Sequence, residues 1–458
     1  MTFCAAPFEG STDPAHRSAM RRGACPSLAA PMMTGDGLLV RLRSARPGFR
    51  LGELMAIADA AALCGNGILE ITARGNLQIR GLAAETVPLL AEKIADAGIA
   101  IAEGLAIETP PLAGLDASQI ADPVALAERL RTVVAAYRPP LALAPKLSLI
   151  VDGGGQLHLG EVTADIRLRA VHAEGKVLWL LALAGTEATA VRIAALEETA
   201  VVPAVMHILE NLASIGPAAR ARDIDVVALR ASLASTVAPD AIEPLEPAPN
   251  SAGIHDLGAG RMVLGVGLAF GQIHATSLRA FLEALDILGA AEIRLAPGHA
   301  LMVLGIAADR VAAAQALALG HGLRAFPRDP RNYIAVCAGI GACASALIDT
   351  RAVAQTIIGN APALLDGSLT VHVSGCAKGC AKPSAAALTI TAAPIGYGLV
   401  VNGPASAAPN AYIEENKIRT AMEHLDTLVS GGKRAGESAR SCLTRLGADV
   451  ITTAVQQG

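Results

Sequence analysis

The chain repeats itself. GILEITARGNLQIRGL (Gly67–Leu82) resembles AAEIRLAPGHALMVLGI (Ala290–Ile306) with a one-residue gap. Each follows a strand-like run, LLVRLR at Leu38–Arg43 and MVLGVGL at Met262–Leu268, and a helix-like segment, near Leu51–Leu63 and Ser277–Leu288. Later parts correspond too: VALAERLRTVVAAY then LSLIVDGGGQLHLG in the first half, RAVAQTIIGNAPALL then LTVHVSGCAKGCAKP in the second. A long-period repeat restricts the fold to two similar halves. Asp122-Pro123 supplies a cap and first-turn proline for the helix that follows. The Pro-rich stretch Ala238–Asn250 reads as an extended linker.

With 458 residues, the chain is too long for one ordinary core. The pattern predicts an N-terminal extension over 1–30 and a small half-domain over 31–100. A larger α/β unit over 101–235 and a linker over 236–255 come next. A second half-domain over 256–320 and a second α/β unit with a C-terminal helix over 321–458 complete the chain. Such halves pack about a pseudo-twofold axis and bind ligands in the crevice between them. The competing arrangement is two independent domains on a tether. Uneven division of the chemical residues between the copies favours one composite site. The apolar stripe Ile418, Ala421, Met422 and Leu425 of the C-terminal helix (Ile413–Leu428) is expected to pack inward.

A net charge of −4 and 2% aromatic residues argue against a nucleic-acid binder with a basic surface or stacking platforms. The N-terminal segment lacks the apolar stretch of a signal peptide. The apolar run Val177–Ala184 is too short to span a bilayer and reads as a buried strand. A cytoplasmic protein without membrane or nucleic-acid partners is therefore expected. Structural disulfides are rare there, so the eight cysteines need another account.

Four of them fall in one copy: Cys337 and Cys343, then Cys376 and Cys380, where the other copy has VDGGGQLHLG. Zinc ribbons usually present Cys-x2-Cys knuckles, whereas an iron–sulfur cubane tolerates wider, asymmetric spacings from two loops. The spacing thus points to a 4Fe–4S cluster, with structural zinc or buried free thiols as the alternatives. Cys376 and Cys380 are expected in a strand-to-helix loop, with Gly375 and Gly379 permitting close backbone approach. Lys378 and Lys382 stand ready to stabilise an anionic cluster and are candidates for contact with a carboxylate ligand beside it. Cys4, Cys25, Cys64 and Cys442 are scattered singly and read as ordinary thiols.

ITARGNLQIR alternates, with Ile71, Ala73, Leu77 and Ile79 on one side and Thr72, Arg74, Asn76, Gln78 and Arg80 on the other. Burying such a face calls for a polar ligand, and arginine forks match carboxylates; a solvated sheet face is the bland alternative. Arg41 and Arg43 share a face on LLVRLR and extend the same wall. Arg294 and His299 are the counterparts in the second copy; His299 reads as a ligand-facing or a structural histidine. His158 and Asp152 are candidates for a mononuclear iron. No nicotinamide fingerprint exists, since GVGLAFG (Gly265–Gly271) has the wrong spacing. No Ser/His/Asp nucleophile constellation is apparent either.

Cys-x5-Cys followed by Gly-Cys-x3-Cys, on a duplicated chain with a T-x-R-x-N-x-Q strand, resembles the nitrite/sulfite reductase superfamily. Within it, GACPSLAAPMMTGDGLLVRL (Gly23–Leu42), TPPLAGLDASQIADP (Thr109–Pro123), HVSGCAKGCAKP (His372–Pro383) and GYGLVVNG (Gly396–Gly403) are similar to the precorrin-3B synthase family. The resemblance spans about Gly23 to Leu425. It implies a duplicated α+β nitrite/sulfite reductase-like fold, each half with a ferredoxin-like half-domain and a larger α/β unit. It also implies oxygen-dependent monooxygenation of precorrin-3A, with hydroxylation and lactone closure, on the way to cobalamin. A 4Fe–4S cluster, a non-haem iron and a separate electron-donating reductase or ferredoxin-like partner come with it. An isobacteriochlorin-like substrate would take the place that sirohaem has in the reductases. The superfamily's paired lysines are here Lys146 and Ser148, and Ala106, Ile107 and Glu108 stand where an arginine is expected. Those losses argue against the alternative of a sirohaem-dependent sulfite or nitrite reductase. A zinc-stabilised tetrapyrrole-binding protein is the alternative of another class.

Overall fold

The structure, a computed structural model, describes residues 26–457, so Cys4 and Cys25 lie outside the described residues. Four five-stranded sheets organise it. In the first half-domain, Met32–Thr34, Gly37–Leu42, Leu77–Leu82 and Ile68–Ile71 lie side by side and Gln272–His274 closes the edge. In the second, Gly253–Asp256, Met262–Gly267, Ala300–Leu304 and Glu292–Ala296 are followed by Phe49–Arg50. Each half thus lends the other the short strand that leads into its own helix, Leu51–Cys64 or Ala275–Ile287. Both added strands pair antiparallel. This reciprocal exchange is the pseudo-twofold relation that the repeat implies.

The two half-domains also share one core. Leu54, Ile57, Leu69 and Ile79 of the first copy pack in the same cluster as Leu264, Phe281, Leu282 and Val303 of the second. Phe281 is fully buried, and each such side chain contributes about 1.5–3 kcal/mol relative to exposure. Separating the halves would expose that surface, so the tethered arrangement of independent domains is not what the chain adopts.

The α/β units match strand for strand. Ala106–Glu108, Ser148–Asp152 and Ala164–Ala173 run parallel, then Lys176–Gly185 and Val191–Leu196 turn antiparallel. Ile334–Val336, Val371–Ser374, Ala386–Ala393, Gly396–Gly403 and Ala411–Ile413 repeat this order and sense. The first parallel crossover of each unit carries an aspartate-capped helix. Asp122 accepts from Val124 N–H before Pro123–Ala136, and Asp349 accepts from Arg351 and Ala352 before Thr350–Asn360. The apolar run at Val177–Ala184 is indeed a buried strand. Among the described residues no helix is long and apolar enough to cross a membrane.

Three expectations change. ITARGNLQIR is not one strand: Gly75, at φ +82°, turns the chain, and hydrogen bonds Thr72 N–H to Asn76 O and Gly75 N–H to Thr72 O close a hairpin. The alternation survives only over Leu77–Leu82, because a glycine with positive φ ends the run. The loop holding Cys376 and Cys380 leads into the strand Ala386–Ala393 rather than a helix. Beyond the expected C-terminal helix, Ile418–Gly432, lies another, Ala439–Gln456. Ala421, Met422 and Leu425 pack inward, with Ile418 at the margin.

The linker is laid down rather than free. Carbonyls of Pro239, Ile242, Glu243 and Glu246 accept from Arg192, Arg192, Arg169 and His158 of the first α/β unit.

Candidate functional site

The cysteine loops face the polar side of the first half-domain sheet. Helices Leu51–Cys64 and Thr86–Asp96 contribute to the core on its other side, leaving Asn76, Gln78 and Arg80, which alternate on Leu77–Leu82 and the residue before it, turned toward the α/β units. All three are buried. Arg41 pairs with Gln78 in register. Asn76 and Arg80 stand about 13 Å apart along the strand.

At one end of this face, Arg80 forms a bidentate pair with Asp36 at 3.0 Å for each bond and reaches Glu70 at 2.9 Å. It also donates to the carbonyl of Ala342, next to Cys343. Burial alone would lower the guanidinium pKa, but the hydrogen bonds and charges of Asp36 and Glu70 raise it. Burial likewise pushes Asp36 up, and the Arg80 hydrogen bond and charge more than offset this, holding its carboxyl below the usual range. Gln272 donates to Glu70 and accepts from Arg351, which extends the chain of polar groups to the helix behind the cysteines. Arg80, expected in the ligand-binding wall, is instead committed to these internal carboxylates.

At the other end lies a cleft lined by Arg43, Arg46, Arg74, Asn76, Glu108, Glu128 and Arg131, with Leu295 and Pro297 from the second copy. Arg74, at the hairpin tip, donates to Thr163 O at 2.5 Å and to Glu108 at 2.8 Å. Arg43 donates to Gly104 O and Arg131 to Ile107 O. Burial lowers the pKa of Arg131. No cysteine lines this cleft.

Several expected ligand-facing groups hold the fold together. The hydroxyl of Thr72 accepts from Asn76 N–H inside the hairpin. Arg294 pairs with Glu292 and donates to carbonyls of Pro111 and Ala113, clamping the second half-domain onto the first α/β unit. His299, at φ +62°, donates Nδ1–H to Ile71 O at 2.6 Å across the copies; burial lowers its pKa. Lys146 is exposed and does not line the cleft. Lys378 joins the two cysteine loops through Ser345 at 2.6 Å, and Lys382 lies at the end of the second loop with its charge bearing on His372. His158 and Asp152 are occupied as well. His158 bonds Glu246 O through Nε2 and accepts from Gly160 N–H at Nδ1. Asp152 accepts from Gly154 and Leu159. The backbone has taken the atoms an iron would need, so these two residues do not fit that role.

Cys337, Cys343, Cys376 and Cys380 converge. Burial, then the proximity of Cys376, Cys337 and Cys343, pushes the Cys380 thiol up against the pull of Lys378. Four sulfurs so grouped ionise together only around a cationic centre. Gly375 N–H donates to Cys337 Sγ at 3.1 Å. A Cβ on Gly375 would come 2.6 Å from the Ala346 Cβ, so only glycine lets this loop close on the sulfur. Gly35 is equally constrained, since its Cβ would meet Ala344 N at 2.5 Å. Among the described residues, no three His, Cys, Asp or Glu side chains meet as a ligand set for a single ion.

The other copy shows what the loops are shaped for. Ile120 N–H bonds Gly153 O as Leu347 N–H bonds Gly375 O, and Asp116 N–H bonds Leu112 O as Cys343 N–H bonds Gly339 O. Cys343 therefore corresponds to Asp116, Cys376 to Gly154 and Cys380 to His158. Asp116 accepts from Ser118 and Gln156 backbone N–H groups. Its pKa stays low because these bonds more than offset its burial. The same loop pair thus closes on an anion in one copy and on sulfur in the other. The donor set fits an anionic iron–sulfur cluster.

Glu108, Arg46, Arg131, Asp36 and His372 complete these surroundings. Only Glu108 drew notice in the sequence. His372 was detectable by aligning LTVHVSG with LSLIVDG, which sets it against Ile150. Its ring is completely buried, and burial with the nearby Lys382 charge pushes it down to about 4.

A model of the nitrite/sulfite reductase ferredoxin-like half domain matches residues 31–97. A precorrin-3B synthase of Sinorhizobium sp is 53% identical over 461 residues, covering 100% of this chain and 99% of that protein. The sulfite reductase (NADPH) hemoprotein beta-component of Myxococcus xanthus is 27% identical over 201 residues, 41% of this chain and 35% of that protein. The solved structure of the Mycobacterium tuberculosis NirA protein superposes with a TM-score of 0.71 at 18% identity, covering 90% of this chain and 84% of that one.

Proposed function

The chain belongs to the precorrin-3B synthase family, within the nitrite/sulfite reductase superfamily, and from that premise we propose that it is an oxygen-dependent monooxygenase acting on precorrin-3A. The observation that carries the reading is the full-length match to a precorrin-3B synthase. The sulfite reductase match, by contrast, covers less than half of the chain.

Cys337, Cys343, Cys376 and Cys380 would hold a 4Fe–4S cluster, which supplies electrons one at a time when bound. Arg43, Arg46, Arg74 and Arg131 face Glu108 and Glu128 across the cleft, leaving an excess of positive charge for a polycarboxylate. Arginine forks hold carboxylates bidentately and fix the macrocycle's orientation. Arg74 must exchange Glu108 for a substrate carboxylate, so Glu108 competes for the site. Arg80 keeps its charge internal and fixes the Ala342 carbonyl beside Cys343. A substrate acetate serves as internal nucleophile for the lactone, so the protein need supply no nucleophile. Reducing equivalents come from a separate reductase or ferredoxin-like protein, in keeping with the lack of a nicotinamide fingerprint. A cytoplasmic setting suits these partners.

The test is iron and acid-labile sulfide analysis of anaerobically purified protein, followed by absorption titration with precorrin-3A. Iron and sulfide in cluster ratio with saturable tetrapyrrole binding is expected. Bound zinc without sulfide, or stoichiometric sirohaem with sulfite or nitrite turnover, would sink the proposal.

A further inference from the structure

The strand Val371–Ser374, an interior strand of the cysteine-bearing sheet, buries His372 completely. Neither ring nitrogen has a hydrogen-bond partner. A neutral imidazole carries one N–H donor and one acceptor, and buried polar groups left unpaired are exceptional enough to call for an explanation. The fold does not demand a polar group here. Its counterpart in the other copy is Ile150, packed with Leu159, Val162 and Ala164.

In that other copy the donor beneath the loop comes from the next strand. Arg167, opposite Ile150 in register, donates to the carbonyls of Leu159 and Val162. The cysteine-bearing copy has Thr389 at that place, and its hydroxyl goes to Gly403 O. The donor has moved to His372, and it has lost its carbonyl partners. The ring faces the cysteine turn: a Cβ placed on Gly379 would lie 3.5 Å from Cε1, the carbon between the two nitrogens. Gly379 directly precedes Cys380.

We infer that His372 donates a ring N–H to the sulfurs of the Cys376–Cys380 turn when the cluster is bound, and so raises its reduction potential. The inference rests on the cluster reading above. Hydrogen bonds to sulfur stabilise the additional negative charge of the reduced state, which is how outer groups tune such centres. His372 acts through the sulfurs and is a positioning residue.

The experiment uses the full-length, anaerobically purified holoprotein. His372→Ile installs the residue that the other copy tolerates, and His372→Gln keeps an N–H donor. The midpoint potential of the cluster is measured for each, with pulsed EPR of the reduced wild type labelled with heavy-nitrogen histidine. Histidine-nitrogen coupling in the wild type is expected, with a more negative potential in His372→Ile and a potential near wild type in His372→Gln. An unchanged potential in His372→Ile, or an equal fall in both variants, overturns the inference, as does a wild-type cluster without histidine coupling. That last measurement stands even where neither variant assembles a cluster. A wild type without iron–sulfur absorption refutes the cluster reading itself, and this inference falls with it.

Discussion

Replacing Arg80 by methionine removes the only cation that Asp36 and Glu70 are seen to bind among the described residues. The Arg80 side chain is 5% exposed, and those of Asp36 and Glu70 are 9% and 19% exposed. Methionine fills much of the volume but leaves two largely buried carboxylates without their cation, held only by the neutral donors Thr34, Asn66 and Gln272. Breaking a buried pair in this way costs about 3–5 kcal/mol. The exposed Arg46–Glu53 pair, whose arginine is 41% exposed, is the control: Arg46→Met should cost less than about 1 kcal/mol. Urea unfolding followed by far-ultraviolet circular dichroism measures both. The pH dependence gives a sharper check. In the wild type Asp36 has a lowered pKa, so its stabilisation is present above the unfolded value and is lost as pH falls through the folded one. In Arg80→Met the offset that Arg80 supplied against the upward push of burial on Asp36 is lost, so acidification protonates it more readily and relieves part of the penalty. The stability gap should therefore be widest near neutrality and narrow as pH drops toward 4. A gap below about 1 kcal/mol at neutral pH, or one that does not vary with pH, would refute the assignment of Arg80 to an internal network.

Cys376→Ala should abolish iron–sulfur absorption; full retention of iron and sulfide would show that another group serves as the fourth ligand. Arg74→Ala should weaken tetrapyrrole binding without changing the cluster spectrum, which an absorption titration reads. Glu108→Gln should tighten the same binding by up to about five-fold, since the part-exposed pair it breaks is worth at most about 1 kcal/mol; weaker binding would mean that Glu108 contacts the ligand. His299 has a pKa lowered by burial, so its contribution to stability is full above the unfolded value near 6.5 and is lost as pH falls toward the folded one. His299→Asn, which tolerates the positive φ, should flatten this acid slope by up to about 1.4 kcal/mol per pH unit; an unchanged slope in urea titrations at pH 7.5 and 5.5 would contradict it.

The duplication was readable because hydrophobic periodicity recurs on both sides of the Pro-rich linker. Reciprocal strand exchange was not, since Phe49–Arg50 and Gln272–His274 are too short for a periodic signal and gain their partners only in the assembled chain. The four cysteines declared themselves by spacing and by their absence from VDGGGQLHLG. The wall of arginines was half readable. Alternation correctly grouped Asn76, Gln78 and Arg80, but it could not distinguish a ligand-facing arginine from one neutralised by Asp36, a residue 44 positions away. Nor could it see that Gly75 folds the chain back and carries Arg74 to the neighbouring unit. The bonds of His299 and Arg294 to carbonyls of the other copy were hidden for the same reason, since backbone acceptors leave no mark in a sequence.

The most direct test of the account is anaerobic incubation of the holoprotein with precorrin-3A and a reducing system, followed by isotopically labelled dioxygen and mass analysis of the product. The account predicts a product one oxygen atom heavier, with that atom drawn from the labelled gas and its formation lost in Cys376→Ala. An unlabelled product, or precorrin-3A returned unchanged by protein with a full cluster, would contradict it.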